Sequence, residues 1–175
     1  EAWSSASPMA NALTYRMGFG TTDDMGVAGG SPPAAAVATT EEFNGTGWVG
    51  GGDLGTARYS GGGAGIAVPT GLVFGGYSNP PPTKHNETES YNGTAWSPQS
   101  NISTGRDSVT GFGTQTAAVC FNGSPLATLV EEYNGASWSE EAANTTGRMN
   151  AATAGSATAG LAIGGQTPPI VANVE

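Results

Sequence analysis

The sequence predicts an all-β repeat fold over residues 1–175, and three observations predict it. Tryptophan occurs four times, as Trp3, Trp48, Trp96 and Trp138, at spacings of 45, 48 and 42 residues. The last three each follow an aromatic-Asn-Gly phrase: Phe43-Asn44-Gly45, Tyr91-Asn92-Gly93 and Tyr133-Asn134-Gly135. All four arginines then trail the tryptophans, Arg58, Arg106 and Arg148 at ten residues and Arg16 at thirteen, which implies a longer loop in the first unit. Self-similarity of this period marks a repeat architecture, in which each unit is one supersecondary element that its neighbours cover.

Each unit divides into four strands. The first runs on from the arginine and turns at small residues such as Gly113-Thr114-Gln115-Thr116. The second is an apolar run ending in a glycine pair or its variant: Gly29-Gly30, Gly75-Gly76, Asn122-Gly123 and Gly164-Gly165. Proline loops follow, at Pro32-Pro33, Pro80 to Pro82, Pro125 and Pro168-Pro169. The third strand carries Glu-x-aromatic and the fourth carries Trp. Asn-Gly between them predicts a two-residue type I′ hairpin, because that turn needs positive φ at both central positions. The expected register sets Tyr91 opposite Thr94 and Glu89 opposite Trp96, with all four side chains on one face in a buried aromatic ladder.

A small sheet with two apolar faces cannot stand alone, but such sheets can stack radially, each covering the next. That arrangement is a β-propeller, and a solenoid is its structural rival. Four apolar positions into Gly-Gly, then an aromatic, Trp and a downstream Arg, resemble the kelch repeat across essentially the whole chain. The tight aromatic-to-Trp spacing departs from the usual kelch pattern and suggests a distinct branch. The expected fold is thus a kelch-like β-propeller of four four-stranded blades. Aligned on the repeat, Glu1 matches Thr94 and Glu175 matches Glu89, so the N-terminal strand with Trp3 is expected to close the last blade beside Val171 to Glu175. The alternative is a window on a longer array, with a start methionine and more lying outside it.

Composition narrows the partners. The net charge is −9 and basic residues number only Lys84 and the four arginines. These are too few for the cationic stripe that nucleic acids or anionic membranes require. No apolar run reaches membrane-spanning length, so no membrane insertion is expected. Gly (29) and Pro (11) are abundant, yet regularly spaced aromatics argue for a packed domain over disorder. Cys120, the sole cysteine, forms no intrachain disulfide and reads as a small apolar core residue.

Once-per-unit arginines (Arg16, Arg58, Arg106, Arg148) and carboxylates (Glu41, Glu89, Glu131, Glu175) read as structural. Each planar fork would tie a strand to a neighbouring carboxylate or to loop carbonyls. The sharper alternative is a symmetric anion pocket made by all four guanidinium groups. Asp23-Asp24 stands where the other units have Pro69-Thr70, Thr116-Ala117 and Thr158-Ala159. A hard cation wants more oxygens than these two carboxylates give, so a solvated turn is expected and no metal site. Lys84 and His85, the sole lysine and histidine, share the longest proline loop. They form the preferred ligand-contact candidate, against a merely solvent-exposed histidine.

Catalysis is not expected, and no cofactor. One histidine cannot supply the two that copper-radical oxidases of the kelch class use, and Ser90 to Trp96 only loosely resembles the sialidase Asp-box turn. The glycine pairs end strands and precede proline loops, which is not the setting of a phosphate-binding loop. Asn44, Asn86, Asn92, Asn101, Asn122 and Asn144 satisfy the N-glycosylation sequence rule, a pattern that arises by chance in so Thr-rich a chain. Repeats of this flavour look like those of bacteriophage tail-fibre and other virion surface proteins. That resemblance implies a non-enzymatic structural and adhesion module on a virion surface or outside the cell. It would bind host glycan or other surface proteins, and self-association into a homo-oligomer is compatible with it. Two other classes stay open: a capsid-decoration or filament subunit, and a sialidase- or lyase-like enzyme with a carboxylate pair facing a cleft.

Overall fold

The computed structural model describes residues 5–32, 35–125 and 128–166. It is built of antiparallel β-sheets, with a 3-10 turn at Val68–Thr70. Met17–Gly20 (β1), Met25–Ala28 (β2), Thr40–Phe43 (β3) and Trp48–Gly50 (β4) form the first sheet in chain order. Gly62–Ala64 (β5) and Leu72–Phe74 (β6) begin the second, and a small hairpin of Tyr77–Ser78 (β7) and Thr83–Lys84 (β8) interrupts it. Thr88–Tyr91 (β9) and Trp96–Gln99 (β10) complete the order β5-β6-β9-β10. Thr110–Thr114 (β11), Ala117–Phe121 (β12), Val130–Tyr133 (β13) and Trp138–Glu140 (β14) form the third. Ala152–Ser156 (β15) and Ala159–Ile163 (β16) pair as the first two strands of a fourth unit. The remainder of that unit, including Glu175 and the predicted closing strand with Trp3, lies outside the described residues, as do Pro33, Pro168 and Pro169. Among the described residues no helix is long and apolar enough to cross a membrane.

The first strands of successive units stand side by side. β1 packs on β5, β5 on β11 and β11 on β15. Backbone bonds stitch their starts together, Ser60 N–H to the Tyr15 carbonyl (3.0 Å), Ser108 to Ser60 (2.7 Å) and Asn150 to Ser108 (3.1 Å). Their far ends are stitched likewise, Gly20 N–H to Gly65 (2.9 Å) and Gly65 N–H to Gly113 (3.1 Å). Glycine in these strands is a packing requirement. A Cβ on Gly63 would press into the Gly18 carbonyl, and one on Gly111 into the Phe74 ring.

The glycine pairs make a second seam between units. Gly30, Gly76 and Gly123 donate their N–H to the carbonyls of Arg58, Arg106 and Arg148 in the following unit, at 3.0, 2.7 and 3.1 Å. Both members of each pair have positive φ, 64° and 125° at Gly29-Gly30, so the seam needs residues that tolerate the left-handed region. Asn122 fills the first position of the third pair at φ 56°, asparagine being among the side chains that best tolerate that conformation.

The predicted two-residue turns are corrected. Tyr91 pairs with Trp96, Phe43 with Trp48 and Tyr133 with Trp138, so each loop holds four residues and Glu89 faces Pro98 instead of Trp96. The physical reason is an Asx turn. The Asn92 carboxamide oxygen accepts from both Thr94 and Ala95 N–H at 2.9 Å, and Asn44 and Asn134 repeat the pattern. Asparagine therefore caps the loop with its side chain and leaves positive φ to the glycine after it. The aromatic ladder forms, but only its tyrosines are buried; Trp48, Trp96 and Trp138 are half-buried.

Two cores lie between sheets. Phe19 of β1 meets Trp96 edge-on (5.7 Å), and Met17, Leu54, Val73 and Tyr91 fill the space around them. Phe74 of β6 meets Trp138 in the same way (4.9 Å), surrounded by Leu72, Ile102, Val109 and Tyr133. Each indole also donates back to the preceding sheet, Trp96 Nε1 to Thr40 Oγ1 (2.9 Å) and Trp138 Nε1 to Thr88 Oγ1 (3.1 Å). One repeated indole thus serves both the dry contact and the polar tie between neighbours.

Candidate functional site

The repeated charges are paired inside the fold. Arg16 bonds Glu41 (2.5 Å), Arg58 bonds Glu89 (2.7 Å) and Arg106 bonds Glu131, with every side chain of the three pairs nearly or fully buried. Each carboxylate also accepts a backbone N–H from the loop before its arginine: Ala10 on Glu41, Gly55 on Glu89 and Ser103 on Glu131, all at 2.8 Å. Arg106 further binds the carbonyls of Asn122 and Leu129, and Arg148 those of Thr146 and Gly164. All four guanidinium groups are thus bound to protein oxygens, which removes the symmetric anion pocket. Glu175 lies outside the described residues.

Arg16 requires a correction. The residue donating to the carboxylate stands seven places after the tryptophan in the first three units, Ala10 included, so the first loop is not longer. Positive φ likewise falls twelve places after each tryptophan, at Tyr15, Ser60, Ser108 and Asn150. Leu13 therefore occupies the arginine position, and Arg16 reaches the same carboxylate from three residues further along. The pairing is kept while its backbone anchor moves, because a long side chain can span the difference.

Glu41 is tuned by this setting. Burial by itself would raise its pKa, but hydrogen bonds from Arg16, Asn11 and Ala10, with the Arg16 charge, together hold it below the ordinary carboxylate value. A depressed carboxylate contributes stability that is complete above its unfolded value and is lost as pH falls through the lowered folded value. Acid titration of the unfolding midpoint is expected to show this loss, and Glu41→Gln should flatten that part of the curve while lowering stability at neutral pH.

Lys84 and His85 are not free. The Lys84 ammonium reaches across to Asp107 Oδ1 (2.5 Å) and to the Ser124 carbonyl and hydroxyl (2.7 Å each), tying the β7–β8 hairpin to the third unit. His85 is buried rather than solvent-exposed, its ring between Glu87 Oε2 (3.1 Å) and Ser78 Oγ (2.9 Å). Both therefore brace the proline loop. Asp24 accepts from Val68 N–H (3.2 Å) while Asp23 is exposed, and no group of three or more metal-ligating side chains occurs among the described residues.

Cys120 is fully buried, with its sulfur 3.3 Å from an Arg106 nitrogen. Burial pushes its pKa up to about 12 despite that cation. The thiol is expected to resist disulfide-exchange reagents in the native protein and to react only as fast as the chain unfolds, because the thiolate is the attacking species. A thiol-release assay in increasing urea checks this; reaction of the native state at a rate independent of denaturant would contradict it.

One of several cavities, of about 280 Å³, lies where the starts of β1, β5, β11 and β15 converge. Tyr15, Ser60, Ser108 and Asn150 stand at its edge, at one equivalent place in each unit. Tyr15 continues outward into an aromatic row, 6.0 Å from Tyr59, which is 5.5 Å from Tyr77. Burial first, then the neighbouring Tyr77, Asp107 and Tyr15, hold the Tyr59 phenol above its ordinary pKa, so it is a neutral surface. Residue type does not mark this place in the sequence, and it was missed there for that reason. Its signal is a constant interval of twelve residues after each tryptophan, carried by Tyr15, Ser60, Ser108 and Asn150, which do not repeat one residue type.

These observations define the class: an antiparallel all-β repeat protein whose repeated charges are paired or carbonyl-bound inside the fold. No protein-family model matches the chain, and no curated protein matches it.

Proposed function

We propose that the chain is a four-bladed, kelch-like β-propeller serving as a non-enzymatic adhesion or structural module on a virion or other extracellular surface, of the tail-fibre kind. The observation that carries this reading is the engagement of every repeated arginine in buried pairs and carbonyl bonds, which leaves a rigid, acidic scaffold whose variation lies in its loops. Three sheets of one strand order, with their first strands adjacent, support the radial arrangement. The partner is a host glycan or another surface subunit.

Closure has its own test. By the register Thr88↔Gln99, Val174 would face Ala6 in a finished ring. In a Cys120→Ser background, Ala6→Cys with Val174→Cys is expected to form an intramolecular disulfide on mild oxidation. A folded variant that stays reduced points to an open array.

The function is tested by presenting the purified chain to an array of bacterial surface oligosaccharides and to intact bacteria, with reducing-sugar release followed in parallel. Retention without hydrolysis is expected. Release of sugar would replace the adhesion reading with an enzymatic one, and absence of retention on any surface would remove adhesion and leave only assembly with another surface subunit.

A further inference from the structure

We propose that the cavity edge is a subsite for a neutral saccharide, with Tyr15 as the stacking platform and Ser60, Ser108 and Asn150 as hydrogen-bonding groups. The inference rests on the binding-module reading and names the ligand class and place for it. The exposure of Tyr15 is the first support: the residue is 66% accessible although its ring joins the Tyr15–Tyr59–Tyr77 row. An exposed, rigid phenol backed by further rings offers the flat apolar face that a sugar ring covers, at small entropic cost.

Available polar groups are the second support. The backbone of Ser60, Ser108 and Asn150 is fixed by the bonds that stitch the units together, so the side chains project from a rigid rim. None of the three side chains has a hydrogen-bond partner among the described residues. A small cavity with one aromatic wall and a few convergent polar groups is the usual form of a small-ligand site, whose volume runs over roughly 300–1,000 Å³. The cavity here, at about 280 Å³, lies just below that range.

Backbone conformation is the third. Tyr15, Ser60, Ser108 and Asn150 all have φ between 54° and 57°, where a side chain is disfavoured and glycine is not. The chain carries 29 glycines, and among the described residues it uses them at the other positive-φ positions, Asn122 excepted. Ser60 and Ser108 are half-buried, while packing does not ask for side chains at Tyr15 and Asn150, which are exposed. A ligand does.

Charge selects among sugars. Arg16, the cation lining the cavity, is bound to Glu41, and Asp107 beside Ser108 is bound to Lys84. With Arg16 and Lys84 both paired and a net charge of −9, acidic sugars are disfavoured against neutral ones.

Glycine substitution tests this cleanly, because it removes the side chain while relieving the strained φ. The wild-type chain, Tyr15→Gly, and Ser108→Gly with Asn150→Gly are each titrated with the neutral oligosaccharides retained on the array and with their sialylated counterparts, with thermal midpoints recorded. Wild type is expected to prefer neutral glycans, and each variant to lose at least about tenfold in affinity while staying folded. Glycan binding by wild type that both folded variants retain within about twofold would overturn this subsite and leave the adhesion reading standing. Preference for sialylated glycans would overturn the ligand class, and absence of glycan binding would overturn the subsite, leaving a protein partner for the module.

Discussion

Arg106→Ala is expected to cost about 3–5 kcal/mol of folding stability, because it strands the Glu131 carboxylate in the interior. Only 1% of the Arg106 side chain and 2% of the Glu131 side chain is accessible. The guanidinium also holds the Asn122 and Leu129 carbonyls, which flank the third proline loop, so its loss frees acceptors on two sides. Urea unfolding followed by tryptophan fluorescence measures the effect. Glu131→Ala should cost a similar amount, and the double variant should cost much less than the sum, since removing both members leaves neither charge buried alone. Additive losses would show that the pair does not act as a unit. Arg58→Ala makes an informative comparison: Arg58 also pairs with Glu89, but its Nε and one terminal nitrogen have no hydrogen-bond partner, against Nε alone in Arg106. A pair that already carries more unsatisfied donors stabilises less, so Arg58→Ala is expected to cost less than Arg106→Ala.

Phe74→Ala is expected to be the most damaging apolar substitution, at about 3–5 kcal/mol. The side chain is fully buried between the second and third sheets, edge-on to Trp138. Gly62 and Gly111 lie so close to the ring that a Cβ at either would overlap it, so the backbone is shaped to this phenyl. Neighbouring strands held that near by ladder hydrogen bonds cannot collapse into the vacated space, and the cavity term then acts in full. Trp138 supplies the readout: its emission should shift to the red as the ring gains water, while the Thr88 bond to its indole nitrogen keeps it in place. Phe74→Leu, which refills most of the volume, should recover the larger part of the loss. Equal destabilisation by Leu and Ala would mean that the edge-on aromatic contact, more than volume, holds the sheets together.

Much of this architecture could be read along the chain because the repeats restate it. The strand starts after Arg58, Arg106 and Arg148, the apolar run into each glycine pair, and the Glu-x-aromatic strand before Trp all fall where the spacing places them. Pairing of arginine with the repeat carboxylate was legible for the same reason, since two opposite charges that recur together in an apolar setting must meet or be expelled. The hairpin register was not, because Asn-Gly supports both a two-residue turn and the capped four-residue loop. Only the side-chain oxygen of Asn92, aimed at two N–H groups, separates them. Arg16 misled for a related reason: residue identity marked the wrong backbone position, and Leu13 gave no sign that it held the arginine's place.

By itself, then, the sequence determined strand content, unit length and the partnership of charge with charge, because each of these is periodic and local. Tertiary structure alone decided that Lys84 spans to Asp107 and Ser124, that His85 is interior, and that Tyr15, Ser60, Ser108 and Asn150 gather around one cavity. The reason is geometric: these residues are brought together by contacts between units and, unlike the glycine pairs and the tryptophans that also join neighbours, they recur with no constant residue type.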